Sequence, residues 1–166
     1  MSKRRQIVQT LLADLTNQAH ADAVVYLLNE YAQDEMGGGS GLSDFATQNL
    51  VRELKKRKGI HPVIAFVRDK PVGLALCIEG FSSFACRPLL NVHDMVVARR
   101  YRGRGISKRL LEKVEEIAKE LGCCKLTLEV LEGNRIAQAA YKAYGFDGYE
   151  LDPKFGKALF WHKNIT

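Results

Sequence analysis

The chain has 166 residues, of which 46% are hydrophobic and 27% charged, a length and balance that suit one domain with a full core. Lys and Arg exceed Asp and Glu by 25 to 19, a formal net charge of +6, yet no basic run is interleaved with surface aromatics, which speaks against a nucleic-acid module. No apolar run approaches membrane-spanning length, and the basic start at Met1 to Arg5 leads into a polar-interrupted stretch rather than a signal-peptide core, so a cytoplasmic protein with no membrane partner is expected.

Residues 6–12 read as a first strand. From about residue 17 to 33, Ala21, Val24, Val25, Leu28 and Tyr31 recur at helical spacing. The run Gly37-Gly38-Gly39-Ser40-Gly41 has little tendency to regular structure and reads as a mobile loop, either a lid or a plain connector. Ser43 is placed to cap a second helix through Phe45, Leu50 and Leu54, whose basic end at residues 55–58 complements the helix dipole and needs no partner. Residues 63–68 and 72–79 read as an antiparallel hairpin around Asp69-Lys70-Pro71. Residues 81–88 read as a connecting segment, and an apolar core strand follows from Leu90 to Val97. From Ile106 the period changes to helical: Leu110, Leu111, Val114, Ile117 and Ala118 form one stripe, which Gly122 ends.

Residues 125–130 alternate as a strand, which with the preceding helix implies a parallel crossover. Asn134 can cap a further helix, Gly145 can end it, and residues 158–162, with Trp161, read as a last strand. The order β-α-α-β-β-β-α-β-α-β predicts an α/β fold, a mixed central sheet with helices on both faces, in a single domain over residues 1–166. Cys77, Cys86, Cys123 and Cys124 show no metal spacing, so no metal is expected and reduced thiols are the preferred reading.

Between the core strand and the long helix lies Arg100-Tyr101-Arg102-Gly103-Arg104-Gly105-Ile106-Ser107. Free N–H groups at a helix N-terminus favour an anion, glycines let a phosphate approach the backbone, and arginines add charge-assisted bonds. The spacing is neither a Rossmann G-x-G-x-x-G nor a Walker loop, since no Gly-Lys-Ser/Thr follows.

These residues resemble the signature of the GNAT family of N-acetyltransferases. The family's R/Q-x-x-G-x-G/A block aligns with Arg102, Gly103, Arg104, Gly105, Ile106 and Ser107, with Ser107 in place of the usual glycine or alanine. A second block, N-x-x-A-x-x-x-Y-x-x-x-G-F, aligns with the stretch from Asn134 through Ala137 and Tyr141 to Gly145 and Phe146. The resemblance covers roughly residues 90–146 and implies a GNAT-like fold. It also implies acetyl-CoA as donor substrate, bound at its pyrophosphate by residues 102–107 and contacted by Met95, Val97, Asn134 and Tyr141. The implied reaction is direct ternary-complex transfer of acetyl to a primary amine, on a small molecule ahead of a protein amine. A homodimer is compatible with it, and no nucleic acid is implied.

Such a transfer needs a proton acceptor, a polarised carbonyl and an acid for the departing thiolate. The family's acid sits at Tyr141, a phenol that stays protonated at neutral pH. For the base, His93 on the strand entering the turn and Glu79 on its neighbour both stand. Asp94 falls on the opposite face from His93 by simple alternation. Family analogy makes the Val97 N–H the carbonyl polariser. A non-catalytic acyl-CoA-binding or sensing domain of the same fold is the alternative function.

Overall fold

The computed structural model describes residues 7–150 and 152–165, so the basic start and Gln6, the first residue of the expected strand, lie outside the described residues. The contacts group the chain into two compact units, Met1–Leu128 and Glu129–Thr166. The first holds a five-stranded sheet in the order β1 (Val8–Leu12), β2 (Ile60–Val67), β3 (Lys70–Ser82), β4 (Arg87–Val97) and β5 (Leu126–Leu128). The first four strands pair antiparallel and β5 runs parallel to β4, giving the mixed sheet that the element order predicts.

Three helices of this unit cover the sheet: α1 (Gln18–Gln33), α2 (Asp44–Lys55) and α3 (Ile106–Glu120). The expected cap at Ser43 is in place, and Asn17 caps α1 in the same way. Asn17 Oδ1 accepts from the Ala19 N–H and Ser43 Oγ from the Ala46 N–H, each satisfying an orphan donor of a first turn. The basic end of α2 is answered locally: Glu53 takes ion pairs from Lys56 and Arg57, which hold its carboxyl down at about 2.

Alternation along the strands sorts the core into two layers. Leu74 and Leu76 of β3, with Ile64 and Val96, pack against Val24, Leu27 and Leu28 of α1 and Leu54 of α2. The intervening positions face α3. A Cβ on Gly73 would lie 3.0 Å from Ile106 Cγ2 and 3.0 Å from Leu110 Cδ1, so the missing side chain lets the first turn of α3 seat against the sheet. That seat carries the glycine turn of residues 102–107.

Three expectations change. The residues read as a connecting segment continue the sheet, with Phe81 opposite Pro88 and Ser82 opposite Arg87, so β3 and β4 form a long hairpin. The polar residues near its tip hid this, because a solvent-facing ladder needs no apolar pattern. The run Gly37 to Gly41 is not free of regular structure. Glu35–Gly37 forms a 3-10 turn capped by Asp34, and the Gly39 and Gly41 N–H groups donate to the carbonyls of Asp34 and Ala32 at the end of α1.

The expected last strand is absent: residues 158–162 take no ladder, and Leu159, Phe160 and Trp161 are exposed. An apolar run satisfies the pattern of a strand, but only a paired edge makes one.

The second unit contains α4 (Arg135–Tyr144). Asn134 Oδ1 caps it by accepting from the Ala137 N–H. Gly145, in the left-handed region, ends it, and the Phe146 N–H returns to the Tyr141 carbonyl, a Schellman closure. Among the described residues no helix is long and apolar enough to cross a membrane.

Candidate acyl-transfer site

Strand β4, fourth of the five in the sheet, is bulged at His93. Leu76 faces Asp94 across the β3–β4 ladder and Cys77 faces Val92, so His93 is an extra residue with no partner. A bulge shifts the alternation by one. Below it, Val92 lies opposite Cys77 on the α3 side of the sheet; above it, Asp94 lies opposite Leu76 on the α1 side. Without the bulge, these two even-numbered residues would share a face. His93 is exposed and Asp94 partly buried. The proximity of Asp94 is felt by Tyr31 of α1, whose phenol is raised first by burial and then by the Asp94 and Asp34 charges.

Burial raises the Asp94 carboxyl above the ordinary carboxylate range, and a positive charge on His93 pulls it back down. A carboxyl that binds its proton more tightly when folded loses stability as pH rises. Below the ordinary carboxylate pKa it is protonated in both states and contributes nothing, while above it ionisation is harder in the folded state. Asp94→Asn is therefore expected to melt a few degrees higher than the parent at neutral pH, with the gap closing as pH falls through the carboxylate range. Melting curves from acid to neutral pH check this, and an unchanged or lower melting temperature at neutral pH contradicts it.

The turn itself is built from backbone. Gly103 and Gly105 have φ of 71° and 76°, the left-handed region, and a Cβ at either would meet nothing within 4 Å. The space above both glycines is open. Gly105 is the N-cap of α3 and supplies no side-chain cap bond, whereas Asn17, Ser43 and Asn134 supply one to α1, α2 and α4. The first-turn donors of α3 are thus left for an outside acceptor. Ile106 is buried as the anchor of this turn and Ser107 is partly exposed beside it. The Arg104 guanidinium lies 5.1 Å from the Tyr101 ring centroid.

Along β4 the Ala98 N–H donates to the Val72 carbonyl. That bond sets the phase of the ladder, in which alternate residues turn their polar groups toward β3 and the others away from it. Val97 and Met95 point away. The Val97 carbonyl, on that side, accepts from Arg102 Nε at 3.0 Å. Since β5 pairs with β4 only from Leu90 to Val92, the Met95 and Val97 amides lie past the paired stretch.

Within the first unit, Glu79 stands apart from this group. Glu79 pairs with Leu90, before the bulge, and its carboxylate lies 3.5 Å from His61 Nε2. Arg102 is held by protein acceptors, Asp34 and the Val97 carbonyl. Asn134 and Tyr141 sit at the start and in the last turns of α4, where the half-buried Tyr141 ring meets Phe146 edge-on at 5.9 Å. Simple alternation set Asp94 apart from His93, because a bulge leaves no mark in the pattern of a single strand. A cavity of about 610 Å³ between α1 and α2, lined by Leu15, Tyr26, Val51 and Arg52 among others, contains none of these residues.

An open mixed sheet whose bulged fourth strand runs into an uncapped helix N-terminus is an arrangement that can hold an anionic ligand. The match to known proteins gives that arrangement its chemistry. The family model described as the acetyltransferase (GNAT) family matches residues 25–146. A thialysine N-epsilon-acetyltransferase of Caenorhabditis elegans is 27% identical over 122 residues, 74% of each chain. That of Bos taurus is 38% identical over 74 residues, 45% of this chain and 43% of the bovine one. The aminoglycoside acetyltransferase AAC(6')-Iy, in complex with a CoA-containing bisubstrate analogue, shares the fold with a TM-score of 0.75 at 19% identity, over 96% of this chain and 99% of that one.

The chain belongs to the GNAT acetyltransferase family. It is an acetyl-CoA-dependent N-acetyltransferase, with acetyl-CoA as the acetyl donor. The open left-handed glycines and the uncapped start of α3 fit the donor's pyrophosphate, which needs backbone N–H groups and room for close approach.

Proposed function

We propose that the enzyme acetylates a primary amine carried by a small cationic molecule, by direct transfer within a ternary complex. The observation that carries this reading is the bulge, which sets the exposed imidazole of His93 next to the partly buried carboxylate of Asp94. An amine arrives as an ammonium and must lose a proton before it reacts. Asp94 attracts the cation, and His93 takes its proton, with the carboxylate stabilising the imidazolium that results.

When bound, acetyl-CoA supplies a thioester whose C–S bond breaks as the C–N bond to the acceptor forms. The uncapped turn of Gly103, Gly105 and Ser107 holds the pyrophosphate, the Met95 and Val97 amides hydrogen-bond the donor's chain and carbonyl, and the Tyr141 hydroxyl protonates the departing sulfur. Asn134 contacts the donor from the start of α4. Two named likenesses support a small amine: by their names, the thialysine enzymes and the aminoglycoside enzyme act on amines of small molecules.

The test is thiol release from acetyl-CoA by the purified protein against diamines, basic amino acids, aminoglycosides and lysine peptides. Release with at least one small amine, ahead of the peptides, is expected. With that amine, His93→Gln is expected to lower kcat/KM at least tenfold. Tight CoA binding without release on any amine would instead favour a non-catalytic acyl-CoA-binding domain. An unchanged kcat/KM in His93→Gln removes His93 as base.

A further inference from the structure

Arg102 donates from Nη2 to Asp34 Oδ2 at 2.8 Å and from Nε to the Val97 carbonyl at 3.0 Å. Its planar fork therefore bridges α1 to the end of β4, an arrangement that a lysine, with one nitrogen, cannot copy. Asp34 is itself a junction. Its other carboxylate oxygen accepts from the Met36 N–H at 3.0 Å, and its carbonyl accepts from Gly37 and Gly39, so it anchors the loop that follows α1. One turn earlier, Glu30 Oε1 accepts from the Arg99 N–H at 3.0 Å. Residues 30 and 34 stand four apart and share a helix face. The two carboxylates thus grip both ends of the 3-10 segment Arg99–Tyr101, which leads directly into the glycine turn.

A carboxylate next to an anion site is unfavourable on charge alone. Coulomb repulsion between Asp34 and a bound pyrophosphate weakens binding unless the carboxylate is neutralised and its placement gains something else. The ion pair is also partly exposed, at 48% for Arg102 and 25% for Asp34, and pairs of that kind add little to stability. What it does supply is geometry. We propose that Glu30 and Asp34 are positioning residues that clasp the anion turn into its binding shape, with Arg102 acting through Asp34 and Val97 rather than as a phosphate ligand, so that donor binding is coupled to the loop at residues 35–41. This rests on the turn being the donor's pyrophosphate site.

The clasp and simple electrostatics differ in sign. If Arg102 is a phosphate ligand, Asp34→Asn removes a repulsive charge and releases the guanidinium, so CoA binds as well or better. If Asp34 positions the turn, Asp34→Asn weakens CoA, by about tenfold on the scale of ordinary coupling between sites.

Calorimetric titration of CoA into the full chain is expected to show that loss for Asp34→Asn and for Arg102→Gln, with the double variant no worse than either alone. Arg102→Lys should fail to restore binding. Glu30→Gln, which keeps an acceptor for the Arg99 N–H, should bind like the parent, whereas Glu30→Ala should not. The salt dependence of binding should be unchanged in Arg102→Gln, since no phosphate contact is lost.

Unchanged or tighter binding in Asp34→Asn, additive losses, or a shallower salt dependence in Arg102→Gln overturns the clasp. Gly105→Val separates the two levels. If it abolishes CoA binding while the clasp variants bind normally, only the clasp fails; if it too binds normally, the pyrophosphate site is wrong and the clasp falls with it. Melting curves of each variant show that the measured losses belong to folded protein.

Discussion

Gly105→Val is expected to raise the CoA dissociation constant by about 100-fold or more, a loss of about 2.7 kcal/mol. Gly105 sits at φ 76°, where a β-branched residue is a steric outlier, and its side-chain position opens onto the space that a pyrophosphate must enter. The substitution therefore acts twice, by straining the turn and by blocking it. Gly122, at the other end of α3, isolates the second effect: its φ is 71° and a Cβ there also meets nothing within 4 Å. Gly122→Val should melt lower by a similar amount yet bind CoA like the parent. Calorimetric titration beside thermal melting distinguishes the two variants, and equal CoA affinities would remove the α3 turn as the donor site.

Tyr141→Phe is expected to lower kcat by about 100-fold or more, the range of a lost general acid, with the CoA dissociation constant within about twofold of the parent. The ring stays. Phenylalanine keeps the edge-on contact with Phe146 and the helical position before the Gly145 closure. Only the hydroxyl is lost, so a fall in turnover without a fall in melting temperature reports chemistry rather than packing. Stopped assays of thiol release at saturating amine and donor measure it. Turnover within a fewfold of the parent would assign Tyr141 to packing and leave the departing thiolate without a protein acid.

Local signals in the chain determined most of the elements and the glycine turn before α3. The caps at Asn17, Ser43 and Asn134, the left-handed glycines at positions 103, 105 and 145, and the helical stripe from Ile106 act within a few residues of themselves. Their geometry follows from short-range sterics and hydrogen bonding, so it can be read before any tertiary contact is known. The last expected strand shows the limit of such signals. Its apolar pattern is present at residues 158–162, but pairing is a property of two segments and that stretch takes no ladder.

Only the tertiary structure decided what surrounds His93 and Arg102. The bulge at His93 arises from the register of β4 against β3, and it brings Asp94 onto the α1 face beside Tyr31. Arg102 reads in sequence as a cation awaiting phosphate. In the fold it lies between Asp34, sixty-eight residues away, and the Val97 carbonyl, five away. A charged side chain turns to whichever acceptor the fold brings within hydrogen-bond reach, and no local pattern records which one that will be.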